Sequence, residues 1–134
     1  CEVTPDDVPN LIDELPILFI ASCFAEGISS FIDIEELKHK ESDRLKAMQD
    51  GLNKMRIKNF LDGNVFCIEG MGKDYKSPNF LAETYYDHRI AMSFAIAGLN
   101  SNSSIEIASP ESINTSFPEF IELGKKLGCN FEIS

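Results

Sequence analysis

Two segments of the sequence are apolar almost all the way round a helix, and they constrain the fold more than any other feature. One covers residues 15–26 behind Asp13 and stops before Gly27, and the other covers residues 90–99 behind Asp87. Asp is a favourable N-cap residue, Gly favours the position after a helix, and a helix without a polar face has to be buried. The sequence therefore predicts two interior helices that other elements cover.

Short strand patterns surround these helices and predict a repeated unit. The predicted strands are residues 28–34, 57–61, 65–68, 80–84, 104–107 and 130–133, with a hairpin turn at 62–64. More amphipathic helices are predicted near 42–55 and at 116–127, the second beginning with a capping box at Ser116 and ending at Gly128. Because Asp13 and Asp87 lie about 74 positions apart, the pattern indicates an α+β fold of repeated units whose helix starts face one edge.

Charge and cysteine content exclude several classes of function. The 134-residue chain has a net charge of −10, which argues against nucleic acid or an anionic membrane as a partner of the whole chain. Cys1, Cys23, Cys67 and Cys129 lack metal-binding spacing, so no metal site is predicted. Without a signal peptide or a membrane-spanning apolar run, a cytoplasmic location is expected. Because the chain begins at Cys1, we expect it to be a piece of a longer polypeptide.

Charged residues gather at three predicted helix starts. The largest group is the run 40–44 (Lys-Glu-Ser-Asp-Arg), and the others are Asp13 and the run 87–89 (Asp-His-Arg). The start of a helix favours anions, because its first N–H groups are unpaired and the helix dipole is positive there. We therefore expect the three starts to converge on a small, multiply anionic substrate.

The residue types in these groups fit that chemistry. Arg44 and Arg89 supply forked donors suited to a carboxylate or phosphate, and Lys40 adds a point charge. Glu41 and Asp13 are two carboxylates that can divide acid and base roles. Simpler interpretations stay open: Asp13 is a plain N-cap, His88 is a surface residue, and Arg44 with Glu41 is a solvated pair contributing ~0.2–0.5 kcal/mol.

Two six-residue segments, 40–45 (KESDRL) and 87–92 (DHRIAM), resemble the signature segments of the 5-enolpyruvylshikimate-3-phosphate synthase family. Residues 13–16 with 24–27, and residues 116–120, fit that family in the same order. The resemblance implies βαβαββ units with buried helices packed on small mixed sheets. It also implies that residues 1–134 form the C-terminal part of one domain, with units of 1–76 and 77–134, and that the N-terminal domain is absent.

The resemblance further implies a reaction and a set of roles. The family transfers the enolpyruvyl group of phosphoenolpyruvate to the 5-hydroxyl of shikimate 3-phosphate and releases phosphate, in aromatic amino-acid biosynthesis. Asp13 resembles the residue that holds and deprotonates the 5-hydroxyl, and Glu41 the residue that exchanges the methylene proton. Lys40 resembles a shikimate 3-phosphate ligand. Arg44 and Arg89 resemble phosphoenolpyruvate ligands with His88 as their neighbour, and no metal or organic cofactor is implied.

Two positions depart from the family pattern, and alternatives remain. Glu36 stands where some members have a substrate-contacting asparagine, and Thr115 stands where some have a lysine for phosphoenolpyruvate. Since the family also draws ligands from its N-terminal domain, we expect the isolated chain to be inactive. The alternatives are a stand-alone phosphometabolite-binding module and a relative of UDP-N-acetylglucosamine enolpyruvyl transferase, a family that lacks the pattern at 40–44.

Overall fold

A computed structural model describes residues 2–132, in which short strands alternate with helices. The strands are β1 (Glu2–Val3), β2 (Glu26–Ile32), β3 (Asn59–Asp62), β4 (Val65–Met71), β5 (Phe80–Ala82) and β6 (Ile105–Ile107). The helices are α1 (Val8–Leu11), α2 (Leu15–Cys23), α3 (Arg44–Lys54), α4 (His88–Ser101), α5 (Glu111–Ser116) and α6 (Phe120–Lys126), with a 3-10 helix at Glu35–His39. The expected α+β class is confirmed.

The first half of the chain forms a four-stranded mixed sheet in the order β1-β2-β4-β3. Strand β1 runs parallel to β2, and β4 is antiparallel to both of its neighbours. The β3–β4 hairpin forms at the predicted turn, where Gly63 has a φ of 60° and Asp62 pairs with Val65. Chain order β1-α2-β2-α3-β3-β4 is the βαβαββ order that the resemblance implies.

Helix α2 lies in the core, as its lack of a polar face predicts. The Phe19 ring meets Phe31 of β2 edge-on at 4.7 Å and Phe66 of β4 at 5.0 Å, which fixes the helix on the sheet. Cys23, at the end of α2, is fully buried, and burial raises the pKa of its thiol to about 12. The Cys67 thiol of β4 is buried too, with its Sγ 3.7 Å from the Ser30 hydroxyl oxygen.

The second half builds on α4, which packs against α2, α3, α5 and β6. Strands β5 and β6 pair in parallel beside it, so β5-α4-β6 repeats the way the first half begins. Helices α3 and α4 approach closely: a Cβ on Gly51 would lie 1.9 Å from the tip of the Phe94 ring. Because α2, α3 and α4 pack together, their N-terminal ends meet at one edge, where the charged residues lie.

Two expectations about α2 are wrong, namely the residue that caps its start and the residue that follows its end. Glu14, not Asp13, precedes the first turn, and no side chain caps the helix. The short α1 causes this difference, because the Glu14 N–H donates to the Leu11 carbonyl at 2.8 Å and the chain passes from α1 into α2. The Asp13 carboxylate is thereby left available for contacts elsewhere.

Gly27 is not the residue that follows α2, because the helix ends at Cys23 and Gly27 lies within β2. Its φ of 82° is tolerated in the strand, where it pairs with Gly70 of β4. A side chain on Gly70 would come within 2.2 Å of the Ala25 carbonyl oxygen. The turn after α2 therefore packs closely against β4, and the chain enters strand β2 at Glu26, earlier than the apolar pattern predicts.

The capping box at Ser116 is also wrong. Ser116 is the last residue of α5, a helix that the sequence did not predict, and α6 begins later without a side-chain cap on Glu119. The Phe117 N–H donates to the Ile113 carbonyl at 2.8 Å, so the residues of the expected cap close one helix instead of opening another.

The end of the chain differs from the expected strand at 130–133. Residues 130–132 are not in a strand, and Ile133 lies outside the described residues. Phe131 stacks on Phe120 of α6 at 5.8 Å, so this segment packs through a side chain rather than through backbone pairing. The predicted end of α6 is confirmed, with Gly128 at a φ of 89° directly after the C-cap Leu127.

Among residues 2–132, none of the helices combines the length and apolar character that crossing a membrane would need.

Candidate active site

The candidate site is built around the guanidinium of Arg44, the first residue of α3. The preceding Asp43 caps this helix, since its side chain accepts from the Lys46 N–H at 3.0 Å. The apolar residues Leu45 and Met48 anchor the first turns of α3 in the core. This arrangement carries the Arg44 side chain inward, where it is only 1% exposed.

Three carboxylates surround the Arg44 guanidinium. Its Nε donates to Asp87 Oδ2 at 2.8 Å, its Nη1 to Asp13 Oδ1 at 2.8 Å, and its Nη2 to Glu41 Oε2 at 2.5 Å. Burial alone would lower the pKa of Arg44, but the hydrogen bond and charge of Asp87 and the other two carboxylates outweigh it, so the pKa is raised. The interpretation of Arg44 and Glu41 as a solvated surface pair is therefore wrong.

The three carboxylates differ in exposure. Asp87 is 0% exposed, whereas the Asp13 and Glu41 side chains are 48% and 58% exposed. Asp87 thus fixes Arg44 from the protein interior, and the other two reach it from the solvent side. An incoming substrate can touch Asp13 and Glu41 directly but cannot touch Asp87.

Lys40 adds a second cation beside Asp13. Its Nζ lies 3.5 Å from Asp13 Oδ1 and 3.3 Å from Glu36 Oε1. The hydrogen bond to Glu36 is the main reason that the pKa of Lys40 is raised. Partial burial opposes ionisation of Asp13, but hydrogen bonds from Arg44 and the charge of Lys40 prevail, so the pKa of Asp13 is lowered. Asp13 is therefore an ionised carboxylate near neutral pH, as a hydrogen-bond acceptor or a base must be.

Arg89 is the third cation, in the first turn of α4. Its Nη1 donates to the Asp13 backbone carbonyl at 3.0 Å and to Glu14 Oε1 at 2.5 Å. The predicted cap on this helix is confirmed, because the Arg89 N–H donates to Asp87 Oδ1 at 3.0 Å. Asp87 therefore serves α4 and Arg44 together.

A cleft of about 380 Å³ opens beside these groups. Its polar lining includes Asp13, Glu14, His88 and Arg89. The rest of the lining is largely apolar, with the side chains of Ile17, Met92, Ile96, Phe117 and Phe120 beside Ser93 and Ser116. A small molecule with a charged end and a carbon skeleton fits such a lining.

The structure brings together most of the residues singled out in the sequence. Asp13, Lys40, Glu41 and Arg44 form one connected cluster, and Arg89 joins it through the Asp13 backbone. His88 lines the cleft and is half-buried, and among residues 2–132 it makes no hydrogen bond or ion pair to the cluster. The remaining two positions lie further out: Glu36 is a partner of Lys40, and Thr115 is exposed on α5, where its hydroxyl donates to the Ser112 carbonyl.

Three residues of the cluster were not predicted as site residues. They are the Asp87 carboxylate, the Ser42 hydroxyl that donates to Asp87 Oδ2 at 3.0 Å, and Glu14. The run 87–89 is one of the three charged helix starts expected at the site, but the only individual role that the sequence predicts for Asp87 is that of a helix cap. The charged neighbours His88 and Arg89 were the signal that Asp87 has a second role. The partner of Asp87 in that role, Arg44, lies 43 residues away in the chain and could not be identified from a local pattern.

Comparisons with known proteins identify the family to which the chain with this cluster belongs. The sequence model of the EPSP synthase (3-phosphoshikimate 1-carboxyvinyltransferase) family matches residues 1–123. The chain belongs to the EPSP synthase family. The resemblance seen in segments 40–45 and 87–92 is thereby confirmed, and membership argues against the UDP-N-acetylglucosamine enolpyruvyl transferase alternative.

Similarity to individual proteins agrees with the assignment of this chain to the EPSP synthase family. The 3-phosphoshikimate 1-carboxyvinyltransferases of Ruthia magnifica and Zymomonas mobilis are 42% and 44% identical over 96% and 98% of the chain. The solved structure of EPSP synthase from Acinetobacter baumannii matches the whole chain with a TM-score of 0.92 and 41% identity. The enolpyruvyl transferase NikO from Streptomyces tendae matches 88% of this chain and 25% of its own at a TM-score of 0.66 and 18% identity, which shows the fold alone.

The chain is much shorter than these EPSP synthase relatives. It spans 29% and 30% of the two curated relatives and 31% of the Acinetobacter baumannii chain. The cluster around Arg44 thus lies in the segment, about a third of the relatives' length, that this chain matches.

Proposed function

We propose that the polypeptide carrying this chain transfers the enolpyruvyl group of phosphoenolpyruvate to the 5-hydroxyl of shikimate 3-phosphate. The observation that carries the proposal is that Asp13 and Glu41 both bond to one buried guanidinium, that of Arg44. The reaction needs a base at the hydroxyl and an acid at the methylene carbon, held around an anion. Two half-exposed carboxylates beside clustered cations satisfy that requirement.

The proposed roles follow the family motifs. Asp13 accepts the proton of the 5-hydroxyl, and its lowered pKa keeps it ionised for this step. Glu41 in its protonated form gives its proton to the methylene carbon as the new C–O bond forms at the adjacent carbon, and it takes a proton back from the resulting methyl group as the C–O bond to phosphate breaks. The proton held by Asp13 leaves with the phosphate. Lys40 binds shikimate 3-phosphate.

Arg44 and Arg89 bind phosphoenolpyruvate, whose charges take the place of Glu41 on Arg44 and of Glu14 on Arg89, and His88 borders this site. The 380 Å³ cleft supports this placement of phosphoenolpyruvate, because Arg89 and His88 both line it. The proposed mechanism uses acid–base chemistry and charge stabilisation by side chains, with no cofactor.

The charge balance of the cluster supports a need for the rest of the protein. Three cations, Lys40, Arg44 and Arg89, are paired with carboxylates at 3.5 Å or less. Five carboxylates make those pairs, namely Asp13, Glu14, Glu36, Glu41 and Asp87. A site with more carboxylates than cations binds two phosphorylated substrates poorly, because like charges repel. We therefore propose that further cations come from the N-terminal domain and that the isolated chain is inactive.

Three other expectations from the sequence enter this proposal unchanged. Residues 1–134 form the C-terminal part of one domain, with units of about 1–76 and 77–134, as the family's architecture suggests. The compartment is the cytoplasm. The partners are the two substrates and the missing domain, without nucleic acid or membrane.

The experiment measures turnover of both substrates by the full-length polypeptide, comparing wild type with Glu41→Gln. Gln keeps the size and one acceptor of Glu41 but cannot exchange a proton, so kcat is expected to fall by roughly 10²–10⁴-fold. The matched control is Glu35→Gln, because Glu35 also pairs with a cation three residues later, Lys38, but outside the cluster. Unchanged kcat in Glu41→Gln would refute the role of Glu41, and an inactive wild type would refute the proposed function.

A further inference from the structure

The buried Asp87 carboxylate lies between the Arg44 guanidinium and the backbone N–H of Arg89. Oδ2 accepts from Arg44 Nε at 2.8 Å and from the Ser42 hydroxyl at 3.0 Å, while Oδ1 accepts from the Arg89 N–H at 3.0 Å. Each oxygen is committed to a different segment of the site. Asp87 is fully buried, so water does not compete for these bonds.

We infer that Asp87 is a positioning residue that sets the direction of the Arg44 guanidinium and holds the first turn of α4, which carries Arg89, without touching the substrate. This inference rests on the proposed function. The Nε bond fixes the plane of the Arg44 guanidinium, because Nε lies next to the planar fork that faces Asp13 and Glu41. The Oδ1 bond fixes the first turn of α4, from which the Arg89 side chain projects.

The geometry separates this role from simple helix capping. Asp43 caps α3 by accepting from the Lys46 N–H, and within the described residues its carboxylate makes no hydrogen bond to the Arg44 guanidinium. A helix-capping Asp therefore does not need to contact the cluster. Asp87 makes the same kind of capping bond with one oxygen and spends the other on Arg44 and Ser42. A pure cap leaves its second oxygen to solvent, whereas Asp87 has none around it.

Asparagine at position 87 tests the second oxygen. Asn caps a helix about as well as Asp but carries one oxygen and one NH₂ group. If its oxygen caps α4, its NH₂ faces the Arg44 Nε–H, and two donors then oppose each other in a dry site. The opposite orientation leaves the Arg89 N–H unpaired. The first orientation removes the bond that fixes the Arg44 guanidinium, and the second removes the bond that holds the first turn of α4.

The experiment compares steady-state kinetics of wild type, Asp87→Asn and Asp43→Asn in the full-length polypeptide. Asp87→Asn is expected to raise KM for phosphoenolpyruvate by about tenfold or more, because a misdirected arginine weakens carboxylate or phosphate binding. KM for shikimate 3-phosphate is expected to change less than about threefold, since Lys40 has no bond to Asp87. Asp43→Asn, the matched cap control, is expected to leave both KM values within about twofold.

Coupling to Arg44 distinguishes positioning from general destabilisation. In an Arg44→Lys background the Nε–H is gone, so adding Asp87→Asn is expected to change phosphoenolpyruvate affinity by less than about threefold. An equally large effect in both backgrounds would mean that Asp87 acts only as a cap and would overturn the inference. Unchanged KM for phosphoenolpyruvate in the single variant would overturn it as well.

Two further outcomes are also decisive. If Asp87→Asn fails to fold, Asp87→Glu replaces it, because Glu keeps the charge but moves the carboxylate by one methylene. A selective rise in KM for phosphoenolpyruvate of about fivefold supports the inference, and no selective rise refutes it. An active wild type with an unaffected variant refutes only the inference, whereas an inactive wild type refutes the proposed function and the inference with it.

Discussion

Replacing Arg44 with Met is predicted to destabilise this chain by about 3–5 kcal/mol, and Asp87 accounts for most of that loss. Met keeps an unbranched apolar stem but removes the guanidinium, which leaves the buried Asp87 carboxylate without its cation. Breaking a buried ion pair by removing one partner costs this much because the remaining charge stays in a low-dielectric site.

The other two ion pairs of Arg44 contribute little to that figure. The Asp13 and Glu41 side chains are about half exposed, so water replaces the lost donor at each of them. Exposed pairs are worth about 0–1 kcal/mol. Asp87 also keeps its bonds from Ser42 and the Arg89 N–H, which places the expected loss in the lower half of the range.

The assay is urea denaturation at neutral pH, followed by circular dichroism, with the double variant Arg44→Met, Asp87→Asn. Because the double variant has no unpaired buried charge, it is expected to regain at least half of the stability that Arg44→Met loses. Lys126→Met is the matched control, since Lys126 and Glu122 form a similar 2.7 Å pair that is exposed on both sides. That control is expected to lose less than about 1 kcal/mol.

Two results would refute this reasoning. A loss below about 1 kcal/mol in Arg44→Met, with an unchanged m-value, would mean that Asp87 does not remain charged and buried without its partner. A double variant less stable than Arg44→Met would mean that the unpaired charge is not the source of the loss.

Two further predictions concern groups at the surface of the site. The pKa of Asp13 is lowered from 3.8, so the stabilisation it contributes is full above that pH and is lost as the pH falls through the lowered value. The stability difference between wild type and Asp13→Asn is therefore expected to shrink as the pH falls below 3.8 in urea titrations, and a constant difference would contradict this. Glu14→Gln removes the charge that occupies Arg89 and is expected to lower KM for phosphoenolpyruvate in the full-length polypeptide by up to about fivefold; a higher KM would mean that Glu14 orients Arg89 for binding.

Local patterns explain why much of the fold was predictable. The hairpin around Gly63 and the strands β5 and β6 were found within about two residues, because alternation and turn chemistry act over short distances. The end of α2 and the start of α6 were missed, the first because strand pairing overrides the apolar pattern and the second because a different local helix, α5, forms there. Gly27 was drawn into β2 by pairing with β4, and Ser116 closed α5 through the Phe117 bond to Ile113.

The sequence by itself determined the three cations of the cluster and two of its half-exposed carboxylates, Asp13 and Glu41, because unusual charge density before buried helices is visible in the chain order. Only the tertiary structure decided how they are paired. Asp87 and Arg44 are 43 residues apart, and no local pattern connects a helix cap on α4 with a guanidinium on α3. The packing of α2, α3 and α4 brings the two into one water-free site, where a buried charge must find a partner and does so at 2.8 Å.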